Sequence, residues 1–190
     1  MTLSLPIDDD ANELIIRSPL ALLIAMVLDQ QVPIEKAFTG PRDLVQRLGH
    51  EPGTRELAEY DPEALAAVFS QQPALHRYPR AMAARVQDLA RLIVERYDGD
   101  AERVWADAAT GAELRKRISE LPGFGSQKAQ IMVALLAKQF GVRPEGWREA
   151  AGQFGDEGTH RSVADIVDEG SLARYREHKK QLKAAAKARK

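Results

Sequence analysis

Cysteine is absent from the 190 residues. This excludes disulfides, thiolate nucleophiles, cysteine-ligated zinc and iron–sulfur clusters. Aromatic side chains make up only 6% of the chain. Long apolar runs are missing too: the longest, Leu20 to Leu28, falls far below the ~20 residues that span a bilayer. No membrane partner is expected, and because the first residues lack the basic-then-apolar layout of a signal peptide, the expected location is cytoplasmic. No stretch alternates as a strand would. What is present is 44% hydrophobic residues, mostly Ala, Leu, Ile and Val at helical intervals, enough for a real core of helices packed on helices. The expected fold class is therefore all-α.

The formal net charge is −1, which conceals a strong polarity. From Arg174 to Lys190 there are eight Lys and Arg against one Glu, whereas Asp8, Asp9, Asp10 and Glu13 weight the other end with acid. The basic end, with Lys179, Lys180 and Lys183 at its centre, is the candidate contact for a polyanion.

Helix signals recur along the chain. Ser18-Pro19 is a capping hydroxyl followed by proline at the first helical position, which predicts a helix over 20–31 closed by Pro33. A short helix is expected over 43–48, a turn over 49–53, and a helix from Asp61-Pro62 to about Ser70. Pro79 opens the longest amphipathic stretch, with Met82, Val86, Leu89, Leu92 and Ile93 in 3.6-residue register up to Asp98-Gly99. Thr110 and Glu113 form a capping box for a helix over 111–119. A further helix begins at Ser126 and ends near Phe140-Gly141. Beyond it the glycine-rich segment 141–158 reads as loop with a short helix near 144–151, followed by helices over 159–167 and 171–188.

Between two of these helices lies Leu121-Pro122-Gly123-Phe124-Gly125. Two glycines one residue apart let the backbone turn tightly and approach a partner closely. The helix that follows turns its unsatisfied N–H groups and positive dipole end to the same place, where the Ser126 hydroxyl and Lys128 add donors. Such donors hold a phosphate without reading sequence. His76, His160 and His178 have no metal-ligand spacing, and Trp105 and Trp147 read as packing residues.

The segment from helix through Leu-Pro-Gly-Phe-Gly into Ser126-Gln127-Lys128-Ala129-Gln130-Ile131-Met132 resembles the helix-hairpin-helix of the HhH-GPD base-excision DNA glycosylases. The resemblance extends upstream. Leu22 to Gln31 is similar to the early helix of the endonuclease III, adenine glycosylase and alkyladenine glycosylase relatives, and Ala74 to Ala83 and Asp98-Gly99 match in order and spacing. It implies an all-helical fold in two lobes, one of residues 1–32 plus 142–190 and one of 33–141, with a cleft for a flipped-out nucleotide in double-stranded DNA carrying a damaged or mispaired base. It also implies DNA contacts from Gln30, Gln31, Gly123, Phe124, Gly125, Ser126, Gln127 and Lys128, and a monovalent cation, Na⁺ or K⁺, on the backbone of Leu121 and Gly123.

Glycosidic cleavage builds positive charge on the sugar and calls for a carboxylate. The family places one after a Gly/Pro-rich loop. Matching the opening of the next helix gives Asp156, with Glu157 beside it; counting without gaps from the hairpin gives Glu145; Asp165 is a weaker choice. Bifunctional members carry a nucleophilic lysine where this chain has Gln127, and Lys128, about 100° away around a helix, should not replace it. The expected activity is thus monofunctional base release without lyase chemistry. The alternatives are a non-catalytic module for bent or damaged DNA, and a protein-interaction domain.

Overall fold

The computed structural model describes residues 5–188. Among these there are eleven α-helices and no strand. α1 (Asp9–Arg17) and α2 (Pro19–Leu28) meet at 115°; Ser18 ends one and caps the other, its hydroxyl accepting from the Ala21 amide at 3.3 Å. Every residue of α2 from Ala21 to Leu28 is buried. A helix apolar on all sides can only be central, and α2 packs on α1, on α3 (Ile34–Leu48) and on α6 (Pro79–Tyr97). No single helix among the described residues is long and apolar enough to cross a membrane.

Several elements differ from the sequence reading. α3 starts at Ile34 rather than 43 and runs through Pro41. Gly40-Pro41 reads locally as a breaker, but Ala37, Phe38, Pro41 and Leu44 are all buried, and tertiary burial outweighs a propensity that is only a weak prior. α1 and α4 (Thr54–Glu59) were not foreseen. α4 is six residues long, too short to show a period, and is held from outside: the buried Gln87 amide of α6 donates to Leu57 O at 3.2 Å and Tyr60 O at 2.6 Å. α5 (Pro62–Ser70) begins as expected, with Asp61 accepting from the Ala64 amide at 2.7 Å.

α7 (Arg103–Ala106) leads to α8 (Gly111–Ser119), capped by Thr110 on the Glu113 amide at 3.2 Å. α9 (Ser126–Gln139), buried from Met132 to Ala137, packs between α8, α10 (Trp147–Ala151) and the 3₁₀ turn Val163–Asp165. The helix expected over 159–167 is instead loop with that turn. Asp165 explains why: its carboxylate accepts from the Arg161 and Ser162 amides and the Thr159 hydroxyl at 2.9, 3.3 and 3.2 Å, side-chain bonds that compete with a helix for the backbone. α11 (Glu169–Ala188) closes the described chain. Arg189 and Lys190 of the basic end lie outside the described residues. One contiguous apolar cluster runs through all these elements, each fully buried Leu, Ile or Phe contributing about 1.5–3 kcal/mol.

Candidate functional site

The hairpin is fixed from beneath by the core. Leu121 and Phe124 are buried, and the Phe124 amide donates to Leu121 O at 3.1 Å, closing a turn. Gly123 takes φ +87°, a conformation that favours glycine, and a Cβ there would sit 2.9 Å from Arg85 Cδ. Phe124, expected among the DNA contacts, is 4% exposed and anchors the hairpin rather than presenting itself to a partner. Gly125 faces open space.

Immediately after it, the amides of Ser126, Gln127 and Lys128 have no acceptor among the described residues. They are the orphan donors of a helix start and carry its positive dipole. The Ser126 hydroxyl accepts from Arg115 Nη2 at 3.0 Å, so a second cation from α8 stands at the same point.

Opposite the hairpin, α2 stops at Leu28, and Gln30 and Gln31 lie in the turn that follows rather than on the helix. Gln30 is clamped: its Nε2 donates to Val27 O at 2.7 Å and its Oε1 accepts from Arg85 Nη1 at 3.0 Å. Gln31 takes φ +57°, a strained setting for a residue with a Cβ, of order 1–3 kcal/mol. Its side chain lies near Tyr78, whose hydroxyl is 3.5 Å from Oε1.

His76 locks this turn to the 74–78 loop. Its Nδ1 accepts from the Tyr78 amide at 3.0 Å, which leaves Nε2–H to donate to Gln30 O at 2.9 Å. Burial pushes its pKa down and favours the neutral ring. Tyr78 itself is 45% exposed beside Gln31, with an aromatic face that can stack on a base.

These pieces line one cleft of about 1220 Å³, with α11 along the remaining side. Its lining is basic: Arg77, Lys128, Arg161, Arg176, Lys179 and Lys183 all belong to it. Lys179 is held in place, its Nζ 2.8 Å from the Tyr175 hydroxyl and 5.1 Å from the ring centre. Lys180, one step round the helix, is exposed and does not line the cleft. Among the described residues no group of three His, Asp or Glu is placed to hold a metal.

The carboxylates picked out from the sequence lie elsewhere. Asp156 is exposed and pairs with Arg161 at 3.0 Å. Glu157 is exposed and pairs with Arg148. Glu145 lines a separate depression with Arg115 and Lys116, and its carbonyl accepts from the Gly111 amide at 2.7 Å. Asp165 is paired with Lys138 at 2.7 Å and committed to its own turn.

The acids that do line the cleft are Asp29 and Glu35, neither of which carried a sequence signal. Glu35 is paired with Arg176. Asp29, the residue that ends α2, lies largely buried at the cleft floor; that burial pushes its pKa up, opposed by the charges of Lys128 and Lys179. Lys128 is itself mostly buried and its pKa is lowered by desolvation, though Asp29 counters this. Its Nζ donates to Met26 O at 2.7 Å, one of the free carbonyls at the end of α2.

A raised carboxyl pKa has a sign in stability. The folded state binds the Asp29 proton more tightly than the unfolded chain. That contribution is complete below the ordinary value of 3.8 and is lost as pH rises through the higher folded value. Asp29→Asn should therefore leave the melting temperature at pH 7 equal or higher, and remove this component of its pH dependence. Thermal melts across pH 3–8 on both proteins check it.

The hairpin, the glutamine turn and the loop at 74–78 thus share one basic cleft. No curated protein and no solved structure matches the chain. The model of one family does, over residues 24–190, from the middle of α2 through the hairpin to the basic end. The chain belongs to the HhH-GPD superfamily of base excision DNA repair proteins.

Proposed function

We propose that this protein is a monofunctional DNA glycosylase that hydrolyses the N-glycosidic bond of a damaged or mispaired base in duplex DNA. Membership of the superfamily supports DNA as the partner. The observation that carries the finer reading is the single cleft in which the free amides of Ser126, Gln127 and Lys128, the strained Gln31 and the basic side of α11 all meet. An enzyme that acts on a base must anchor the backbone, fill the gap in the stack and receive the extruded nucleotide. The α9 start, Gln31 with Tyr78, and the cleft are suited to these tasks in that order.

The test is base release from a panel of lesion-containing and mismatched duplexes, with binding followed against salt. Release from at least one class, and affinity falling steeply with ionic strength through counterion release, is expected. Binding without release from any duplex would make the protein a non-catalytic reader of damaged DNA. Absence of salt-dependent binding would remove the DNA role.

Lyase chemistry needs a free amine at the sugar. Lys128 Nζ instead donates to Met26 O, which ties it to the end of α2. Borohydride reduction in the presence of abasic DNA should give no covalent adduct. An adduct that disappears in Lys128→Ala would overturn the monofunctional assignment.

A further inference from the structure

We propose that Asp29, rather than any acid of the loop after α9, is the carboxylate that serves the glycosidic bond; the proposal rests on the glycosylase reading above. Three observations carry it. Asp29 lines the cleft, whereas Asp156, Glu157 and Glu145 do not. Of the two acids that line it, Glu35 is occupied by Arg176, while the Asp29 side chain accepts no hydrogen bond among the described residues and forms no direct ion pair. Asp29 also directly precedes Gln30 and Gln31 in one turn, so the carboxylate and the residue suited to fill the gap left by the base come from the same few backbone atoms.

The electrostatics of the floor agree with this placement. The carbonyl end of α2 carries the negative pole of its dipole, and Asp29 adds a charge to it. The lining around it is cationic. The cations along the lining suit phosphates, and the Asp29 carboxylate among them suits the positive charge that develops on a sugar as its base departs.

In the step itself the bond from C1′ to the base nitrogen breaks, and its electron pair leaves on the nitrogen. The Asp29 carboxylate faces the cationic sugar and accepts a proton from water as the water oxygen bonds to C1′. That proton passes to the departing base, so the products are the free base and an abasic sugar bearing the hydroxyl from water. Lys128 and Lys179 are positioning residues here: their charges oppose the proton affinity that burial gives Asp29.

The experiment compares the full chain on two duplexes of identical sequence, one containing a cationic pyrrolidine abasic analogue and the other a neutral tetrahydrofuran analogue. The wild type should prefer the cationic duplex by about 10²-fold, the low end for mimics of a transition state. Asp29→Asn should bring the preference close to unity while keeping the affinity for the neutral duplex, and should slow base release by about 10²- to 10³-fold. Asp156→Asn, Glu157→Gln and Glu145→Gln should keep the preference. Asp29→Glu, which keeps the charge, should retain part of it, and this separates charge loss from misfolding. Retention of the preference in Asp29→Asn, or its loss in a loop-acid variant alone, would overturn the proposal. An Asp29-dependent preference with no base release from any lesion would support the placement of Asp29 at the sugar and overturn the glycosylase reading instead.

Discussion

Gly111→Ala is expected to melt roughly 6–12 °C below the wild type, from about 3 kcal/mol of overpacking at 2–4 °C per kcal/mol in a domain of this size. Gly111 opens α8 against the segment that enters α10. A Cβ on it would lie 2.5 Å from Gly146 O and 2.6 Å from Trp147 Cα. Both are backbone atoms, so no rotamer change relieves the contact. The same residue donates its amide to Glu145 O at 2.7 Å, and pushing the two segments apart would lose that bond as well. Because α8 runs straight into the hairpin, the variant should also weaken duplex binding more than its melting temperature alone would suggest. Differential scanning calorimetry and a binding isotherm below the melting range check the two parts separately.

The Lys179→Gln, Lys183→Gln double variant should lose about 10- to 100-fold in duplex affinity near physiological salt, and its plot of log affinity against log salt should be shallower by about 2, one unit for each phosphate contact removed. Both lysines line the cleft. Lys180 and Lys187 carry the same charge and lie on the same helix, but are exposed and do not line the cleft. Lys180→Gln, Lys187→Gln should therefore change the slope much less. Equal effects from the two pairs would mean that α11 acts as a diffuse positive charge rather than as one wall of a site. Titrations at four or more salt concentrations decide between these outcomes.

Much of the fold could be read locally. The caps at Ser18, Asp61 and Thr110, and the long period from Pro79, mark helices that form where expected because capping and amphipathic spacing are local properties. The short α4 and the α3 that passes through Pro41 could not be read so, since each depends on what it packs against: Gln87 from α6 in one case, the apolar core in the other. The loop at 159–167 failed for the converse reason. Its residues suit a helix, but Asp165 draws in their amides.

The site divides in the same way. The hairpin glycines and the free start of α9 belong to consecutive residues, so the sequence by itself determined a tight turn with unsatisfied amides beyond it and the family pattern around them. Choosing the carboxylate is different in kind. Asp29 and Lys128 are far apart in the chain, and Lys179 is farther still; only the packing of α2, α9 and α11 brings them to one cleft floor. Asp156, Glu157 and Glu145 looked suitable because the loop spacing resembles the family's, yet spacing along a glycine-rich segment does not fix direction in space, and their side chains are spent on Arg161, on Arg148 and in a separate depression. Tertiary structure alone decided which acid is desolvated and left without a hydrogen-bonding partner among the described residues, because burial and the field of distant charges arise from the elements packed around a residue rather than from its neighbours in sequence.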